Sequence, residues 1–464
     1  MTAPLPAAPS LEQLRTQAED LLRAHRAAEP DALARVRAHH PDPDAPLELG
    51  GAELVIAREH GFGSWAKLRA YADRVHAHGP EMAHAYHEDL DYYEGRAYGL
   101  RASAEDGTAG AVAAFERHGA PLTPAGAREV VAREHGMPSW PALRRHVAGL
   151  RDSGEPFARA FRAIEAHDVD GLRAEVERFP GLVAARGTNG NDLIGMAGAT
   201  CDERLVAVLL EHGADPARGN AHGWTPLHQA AYSDLPLLAR MLLDAGAPVD
   251  VSARGDGGTP LVVALFWGNV TTAELLAGRG VHPRNLRAAA GLGRLDLIEA
   301  LAGTPEAGAH RGFYRPHSGF PRWRPSGDPQ EALDEALAWA ARSDRADALE
   351  PLVRHGARVD ADVYRGTALS WAAACGRTAS VRRLVALGAD PDHRGTFGGP
   401  DHGGGATALH LAAQGGHADT IRALLELGAD PTIADGIHGS DPLGWAEFGE
   451  QTAAAAVLRE VTPR

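Results

Sequence analysis

Apolar and polar positions along this chain follow a helical rhythm that restarts every thirty-odd residues. Residues 406–430, ATALHLAAQGGHADTIRALLELGAD, show it most clearly. The spacing predicts a helix, a glycine-rich turn, a second amphipathic helix, and a glycine that ends it in the left-handed conformation. The closing phrase recurs as Gly213-Ala214-Asp215, Gly246-Ala247, Gly356-Ala357, Gly388-Ala389-Asp390 and Gly428-Ala429-Asp430, in steps of 33, 110, 32 and 40 residues. An opening phrase recurs with it: Thr225-Pro226-Leu227-His228, Thr259-Pro260-Leu261, Thr367-Ala368-Leu369 and Thr407-Ala408-Leu409-His410. Thr starts the first helix, and Pro is tolerated in that first turn. Alanines let paired helices approach, and no unit buries its own apolar face, so neighbours must stack.

Motif, order and period together resemble the ankyrin repeat. Bacterial ankyrin-repeat proteins are similar to the chain along most of its length. The resemblance implies an all-α fold, an ankyrin-type α-solenoid of stacked helix pairs, and carries no activity with it. The phasing sets units near 157–187, 188–220, 221–254, 255–284, 285–330, 331–365, 366–405 and 406–439, with a capping unit at 440–464. The wide gap from Gly246 to Gly356 holds three steps of the repeat and a long insertion.

The first 150 residues carry their own duplication. Ala57-Arg58-Glu59-His60-Gly61-Phe62-Gly63-Ser64-Trp65 returns as Ala132-Arg133-Glu134-His135-Gly136-Met137-Pro138-Ser139-Trp140. Each copy predicts a helix, loop, helix, glycine turn, Ser N-cap and helix. The expected division is a helical module over 1–80, its duplicate over 81–153, and repeats over 154–464 with insertions at 303–330 and 391–405. Trp65 and Trp140 are expected at equivalent buried positions.

Composition narrows the class. The chain has 464 residues, too many for one ordinary compact domain and well suited to a repeat array. A net charge of −15 disfavours nucleic acid as a partner. The positive charge is almost all Arg, Lys67 being the sole Lys, which suggests a GC-rich bacterial genome. Two distant cysteines, Cys201 and Cys375, exclude a disulfide framework and point to a reducing cytosol. Met1 to Ser10 lacks the features of a signal peptide, and no apolar run reaches the roughly 18 residues of a membrane helix. A soluble, cytoplasmic protein is expected.

Candidate chemistry is sparse. His228 and His410 in the opening phrase are expected to be structural, since other units place Val262, Arg287, Ala338, Ser370 and Gly444 there. Trp339, Trp371 and Trp445 share one repeat position and predict an aromatic ladder in the core. Tyr232, Phe266, Trp267, Arg342 and Gln414 fall at helix ends that face a repeat groove, where exposed aromatics mark binding and covered ones mark packing. His76, His78, His84 and His87 with Glu88 and Asp89 have spacing that chance explains better than a metal site. No Walker loop, nucleophile elbow or metalloprotease motif occurs, so no catalytic residue, metal or cofactor is expected.

The 303–330 insertion concentrates His310, Arg311, Phe313, Tyr314, Arg315, His317, Phe320, Arg322, Trp323 and Arg324 in fifteen residues. Arginines interleaved with aromatics suit an anionic or aromatic ligand. A plug over the groove and a disordered segment are the other readings. The 391–405 insertion adds His393, Arg394 and His402. The leading expectation is a non-catalytic scaffold that recognises a protein or peptide through its concave face and the 303–330 loop. The alternative is an enzyme or small-molecule binder with a pocket between the insertions, drawing on His310, Tyr314, Arg315, His317 and His402.

Overall fold

A computed structural model of the chain describes residues 4–105, 107–253, 258–303, 328–362, 366–395 and 404–462. The chain forms two compact units, residues 1–230 with 237–248, and residues 231–236 with 249–464. Among the described residues nearly all regular structure is helical, as the periodicity predicts.

The first unit opens with the duplicated sequence as four helices per copy. The first copy gives α1 (Leu11–Arg26), α2 (Pro30–His39), α3 (Leu49–Glu59) and α4 (Trp65–His78). The second gives α5 (Leu90–Glu105), α6 (Ala109–His118), α7 (Pro124–Glu134) and α8 (Trp140–Ala148). In both copies the first helix packs on the third. The shared Arg-Glu-His-Gly phrase ends that third helix, because Gly61 and Gly136 supply the positive φ that reverses the chain, 79° and 68°. Trp65 and Trp140 then open equivalent helices behind Ser64 and Ser139. Both rings are only half-buried, so they edge their modules rather than anchor a core as the sequence suggested.

A short helix, α9 (Leu150–Ser153), leads into the helix pairs α10 (Pro156–Glu165) with α11 (Val169–Arg178), and α12 (Leu193–Ala199) with α13 (Glu203–Glu211). Two-residue strands β1 (Ala83–His84) and β2 (Arg186–Gly187) pair in parallel and fasten the duplicated region to these pairs. The buried Glu155 carboxylate does the same with charge. It accepts from Arg74 on α4 at 2.6 Å and lies 3.3 Å from His84 Nδ1 on β1. Burial alone would raise its pKa, but Arg74 and His84 outweigh that and hold it at about 2.

The pair α14 (Pro226–Tyr232) with α15 (Pro236–Asp244) spans the division along the sequence. The second unit continues with α16 (Pro260–Trp267) and α17 (Val270–Gly278), α18 (Leu286–Gly291) and α19 (Leu295–Leu301), α20 (Pro329–Arg342) and α21 (Ala346–Arg354). It ends with α22 (Ala368–Ala374) and α23 (Thr378–Ala386), α24 (Ala408–Gln414) and α25 (Ala418–Glu426), α26 (Pro442–Phe448) and α27 (Thr452–Arg459). Every helix pair from α10 onward falls in the unit that the phasing assigns, apart from the first residues of α10 and α20. Even-numbered helices stack on even, α18 on α20 and so on to α26, while α19 to α27 form an outer row.

The repeated phrases have visible work. Thr407 caps α24 while the His410 ring accepts the Thr407 N–H at 3.1 Å and meets Ser440 O at 3.0 Å in the next turn. His228 makes the same bond to Thr225 N–H, so both histidines are buried structural groups. Gly213, Gly246, Gly388 and Gly428 all carry positive φ after the outer helix. At the inner turn some units place a non-glycine at positive φ, and the side chain offsets the strain. Asp234 and Asp344, at φ 50° and 56°, each cap the next outer helix, accepting from Thr272 and Ser380 through both backbone N–H and hydroxyl.

Candidate binding surface

Binding in a stack of helix pairs falls to side chains at the inner-helix ends. In the second unit that one repeat position holds Tyr232, Phe266, Gly291, Arg342, Ala374, Gln414 and Phe448. Tyr232 is 46% exposed and Phe448 94%, whereas Phe266 is 1% exposed and Arg342 is buried.

The buried stretch is organised around a guanidinium. Arg342 lies 3.7 Å from the Trp371 ring centroid and 5.1 Å from that of Phe266. It donates through Nε to Ala338 O at 3.2 Å and through Nη1 to Phe266 O. Phe266 meets Trp339 and Trp371 edge-on, at 6.2 and 6.1 Å. A buried cation is tolerated only where acceptors and π-faces replace water, and these do so. Trp339 and Trp371 are therefore core residues, and the predicted ladder is packing. Trp445 is half-buried and donates to Asp435 Oδ2 at 3.0 Å.

The turns behind this row hold it rigid. Before four of the outer helices the capping residue reaches back to carbonyls at the ends of earlier inner helices. Asn269 donates to Ala231 O and Tyr232 O, both at 2.8 Å. Arg345 donates to Gly291 O at 3.2 Å, and Arg377 to Arg342 O at 2.9 Å and Gly268 O at 2.8 Å. His417 Nε2 meets Ala374 O at 3.0 Å. Along the outer row, ion pairs Glu299–Arg354, Glu350–Arg383 and Glu426–Arg382 join successive units, and Glu274–Arg345 reaches across one. Those charges face one another, while exposed apolar side chains occur both at inner-helix ends, Tyr232 and Phe448, and on the second helices of pairs, Leu237 on α15 and Leu295 on α19.

At the inner-helix ends the aromatic area comes from Phe448 and from the pair of Tyr232 and Trp267. Trp267 is half-buried, and its ring lies edge-to-face on Tyr232 with centroids 5.5 Å apart. Phe266, expected beside Trp267 as a binding residue, is instead turned into the core against Trp339, Trp371 and Arg342, and offers a partner nothing. Arg394 is exposed but already donates to Ala434 O at 2.7 Å, next to the antiparallel Gly395–Ala406 bridge. His393 stands half-buried beside it. His310, Arg311, Tyr314, Arg315, His317, Trp323, Arg324 and His402 lie outside the described residues, as does most of the 303–330 insertion. Among the described residues no group of three or more His, Cys, Asp or Glu stands ready for a metal. The histidines near residue 80 are dispersed: His76 and His78 are exposed, His84 is paired to Glu155, and His87 stacks on Tyr92. No described helix is long and apolar enough to cross a membrane.

Comparison with known proteins agrees with the helix pairs. Family models for ankyrin repeats match residues 193–287 and 286–395, and a single-repeat model matches 404–436, together about half the chain. The chain is 26% identical over 153 residues to a transient receptor potential cation channel subfamily A member 1 homolog of Caenorhabditis elegans, covering 33% of this chain and 12% of that protein. It is 42% identical over 55 residues to protein phosphatase 1 regulatory subunit 27 of Mus musculus, covering 12% and 35%. The chain thus spans well under two thirds of either relative. The human ASB11 ankyrin repeat domain, a solved structure, is 20% identical, with 59% of this chain and all of that one covered at a TM-score of 0.27. These relatives are animal proteins, and nothing in them supports the bacterial source suggested by the arginine-rich composition.

Proposed function

The chain belongs to the ankyrin-repeat family, and from that premise we propose that it is a non-catalytic scaffold whose second unit binds a protein or peptide along its inner-helix ends. The observation that carries this reading is the Tyr232–Trp267 pair, an exposed aromatic edge on a backbone whose turn carbonyls are already bonded. Tyr and Trp on a rigid support bind with little loss of side-chain freedom, and such residues dominate interface energies. The name of the mouse relative, a phosphatase regulatory subunit, is compatible with a binding role. The 303–330 segment, with its arginines and aromatics, is part of the proposal as a specificity element. Residence in a reducing cytosol is part of it too, supported by two free cysteines.

The test compares capture from native lysate by the intact chain, by Tyr232→Ala with Trp267→Ala, and by Arg422→Ala on the outer row. Partners retained by the intact chain and by Arg422→Ala, but lost by the double variant, support the reading. Capture that survives the double variant places recognition elsewhere.

A further inference from the structure

The duplicated sequence of the first unit contains a comparison within one molecule. Ala45-Pro46-Leu47 corresponds to Ala120-Pro121-Leu122, Gly51-Ala52 to Gly126-Ala127, and Ser64-Trp65 to Ser139-Trp140, all at one constant offset. In the first copy Leu47 is folded inward and only 8% exposed. Its Cδ1 and the His40 ring stand 3.0 and 2.9 Å from where a side chain on Gly51 would begin. In the second copy Leu122 is turned out, 45% exposed, beside an open depression of about 390 Å³. Pro121, Ala125, Arg128, Glu129, Arg133 and Trp140 are among its walls.

The charges differ as sharply as the packing. Asp44, Glu48 and Glu53 of the first copy become Gly119, Thr123 and Arg128 in the second, while Leu54 becomes Glu129. Arg128 and Arg133 keep 43% and 45% of their side chains exposed. Arg128 donates to Glu94 at 2.7 Å, and Arg133 donates to His118 O at 2.9 Å with the Glu129 carboxylate 3.8 Å from its Nε, which leaves further N–H donors on both guanidinium groups. The second copy therefore sets an apolar wall of Pro121, Ala125 and Trp140 beside two guanidinium groups and the Glu129 carboxylate, where the first copy turns its own leucine inward and carries acids in place of Gly119, Thr123 and Arg128.

We infer that this depression docks an acidic peptide segment carrying a leucine or similar aliphatic side chain. The aliphatic group packs on Pro121, Ala125 and Trp140, and flanking carboxylates meet Arg128 and Arg133. Charge-assisted bonds of this kind are stronger than neutral ones, and a carboxylate suits the planar guanidinium. The site lies wholly in the first unit and is independent of the surface around Tyr232.

The experiment uses the full chain and a fluorescein-labelled dodecapeptide with two leucines flanked by Asp and Glu, read by fluorescence anisotropy. Two controls replace its acids by Lys or its leucines by Ser. Saturable binding of the acidic peptide is expected, weakened about tenfold or more by either control and by Arg128→Glu, which installs the first copy's charge. If Arg128→Glu does not fold, Arg128→Gln, which keeps a donor for Glu94, carries the comparison and must show the same loss. No saturation below about 1 mM, equal binding of the Lys peptide, or indifference to the Arg128 change overturns the inference. So does a dimer in sedimentation that Arg128→Glu dissolves while the acidic peptide never binds.

Discussion

Acidification should loosen the first unit through its buried histidines. The shared Arg-Glu-His-Gly phrase buries two imidazoles, His60 and His135, at the ends of α3 and α7. His135 bonds Val131 O at 2.6 Å and Thr188 Oγ1 at 2.9 Å, and the ionisable groups that act on it, His146, His84 and Arg74, are all basic. Burial pushes both rings down to about 4 from an ordinary 6.5. The unfolded chain therefore takes up protons below pH 6.5 that the folded chain refuses until about 4, so stability falls as pH falls across that window. At pH 5 each histidine contributes about 2 kcal/mol of loss. Asp192 acts oppositely: burial raises it to about 6, and between pH 6 and 4 its retained proton favours the folded state. The balance is a loss of about 3 kcal/mol on going from pH 7.5 to 5. His118 and His146, also pushed down by burial, steepen the slope. Glu155, held at about 2, keeps its bonds throughout. Hydrogen exchange read by mass spectrometry on peptides of α3 and α7, corrected for intrinsic rates, should show opening about 100-fold more frequent at pH 5. Protection that is unchanged or greater at pH 5 would refute the argument.

Three further outcomes follow from the second unit. Gly428→Val should cost about 1–2 kcal/mol, all of it torsional, because φ is 93° and nothing lies within 4 Å of the added Cβ; a thermal melt displaced by under about 1 °C would contradict that. Arg377→Ala frees two inner-helix carbonyls at once and should cost about 1–3 kcal/mol by denaturant titration, whereas an exposed, idle arginine would cost about nothing. Trp371→Ala removes the plate on which Arg342 rests and should cost about 3–5 kcal/mol, while Tyr232→Ala should stay within about 0.5 kcal/mol; similar costs for the two would mean the core and surface are misassigned.

The fold was legible because each unit repeats its own punctuation. A Thr to start, a Gly at positive φ to stop and alanines between them are local signals, and stacking adds no choice that the sequence withholds. Phe266 shows where such reading ends. Its position in the repeat is exposed in Tyr232 and Phe448, and phase alone left surface and core both open. Arg342, far along the chain, supplied the donor for its carbonyl and the cation for its ring, and Trp371 closed the other side. That is tertiary information with no local trace. Glu155 was missed for the same reason, since Arg74 and His84 are distant in sequence. The Asp234 and Asp344 caps were discoverable, because an Asp where other units place Gly at the same turn calls for a hydrogen-bonded reason. The inward Leu47 and outward Leu122 were not, since the duplicated phrase spells both alike.

The claim that binding runs along the inner-helix ends is tested most directly by site-specific photo-crosslinking. A benzoylphenylalanine replaces Tyr232 in one chain and Arg422, exposed on the outer helix α25, in another. Illumination in native lysate should yield a discrete crosslinked partner from position 232 and none from position 422. A partner captured from 422 and absent from 232 would place recognition on the outer row and contradict the account.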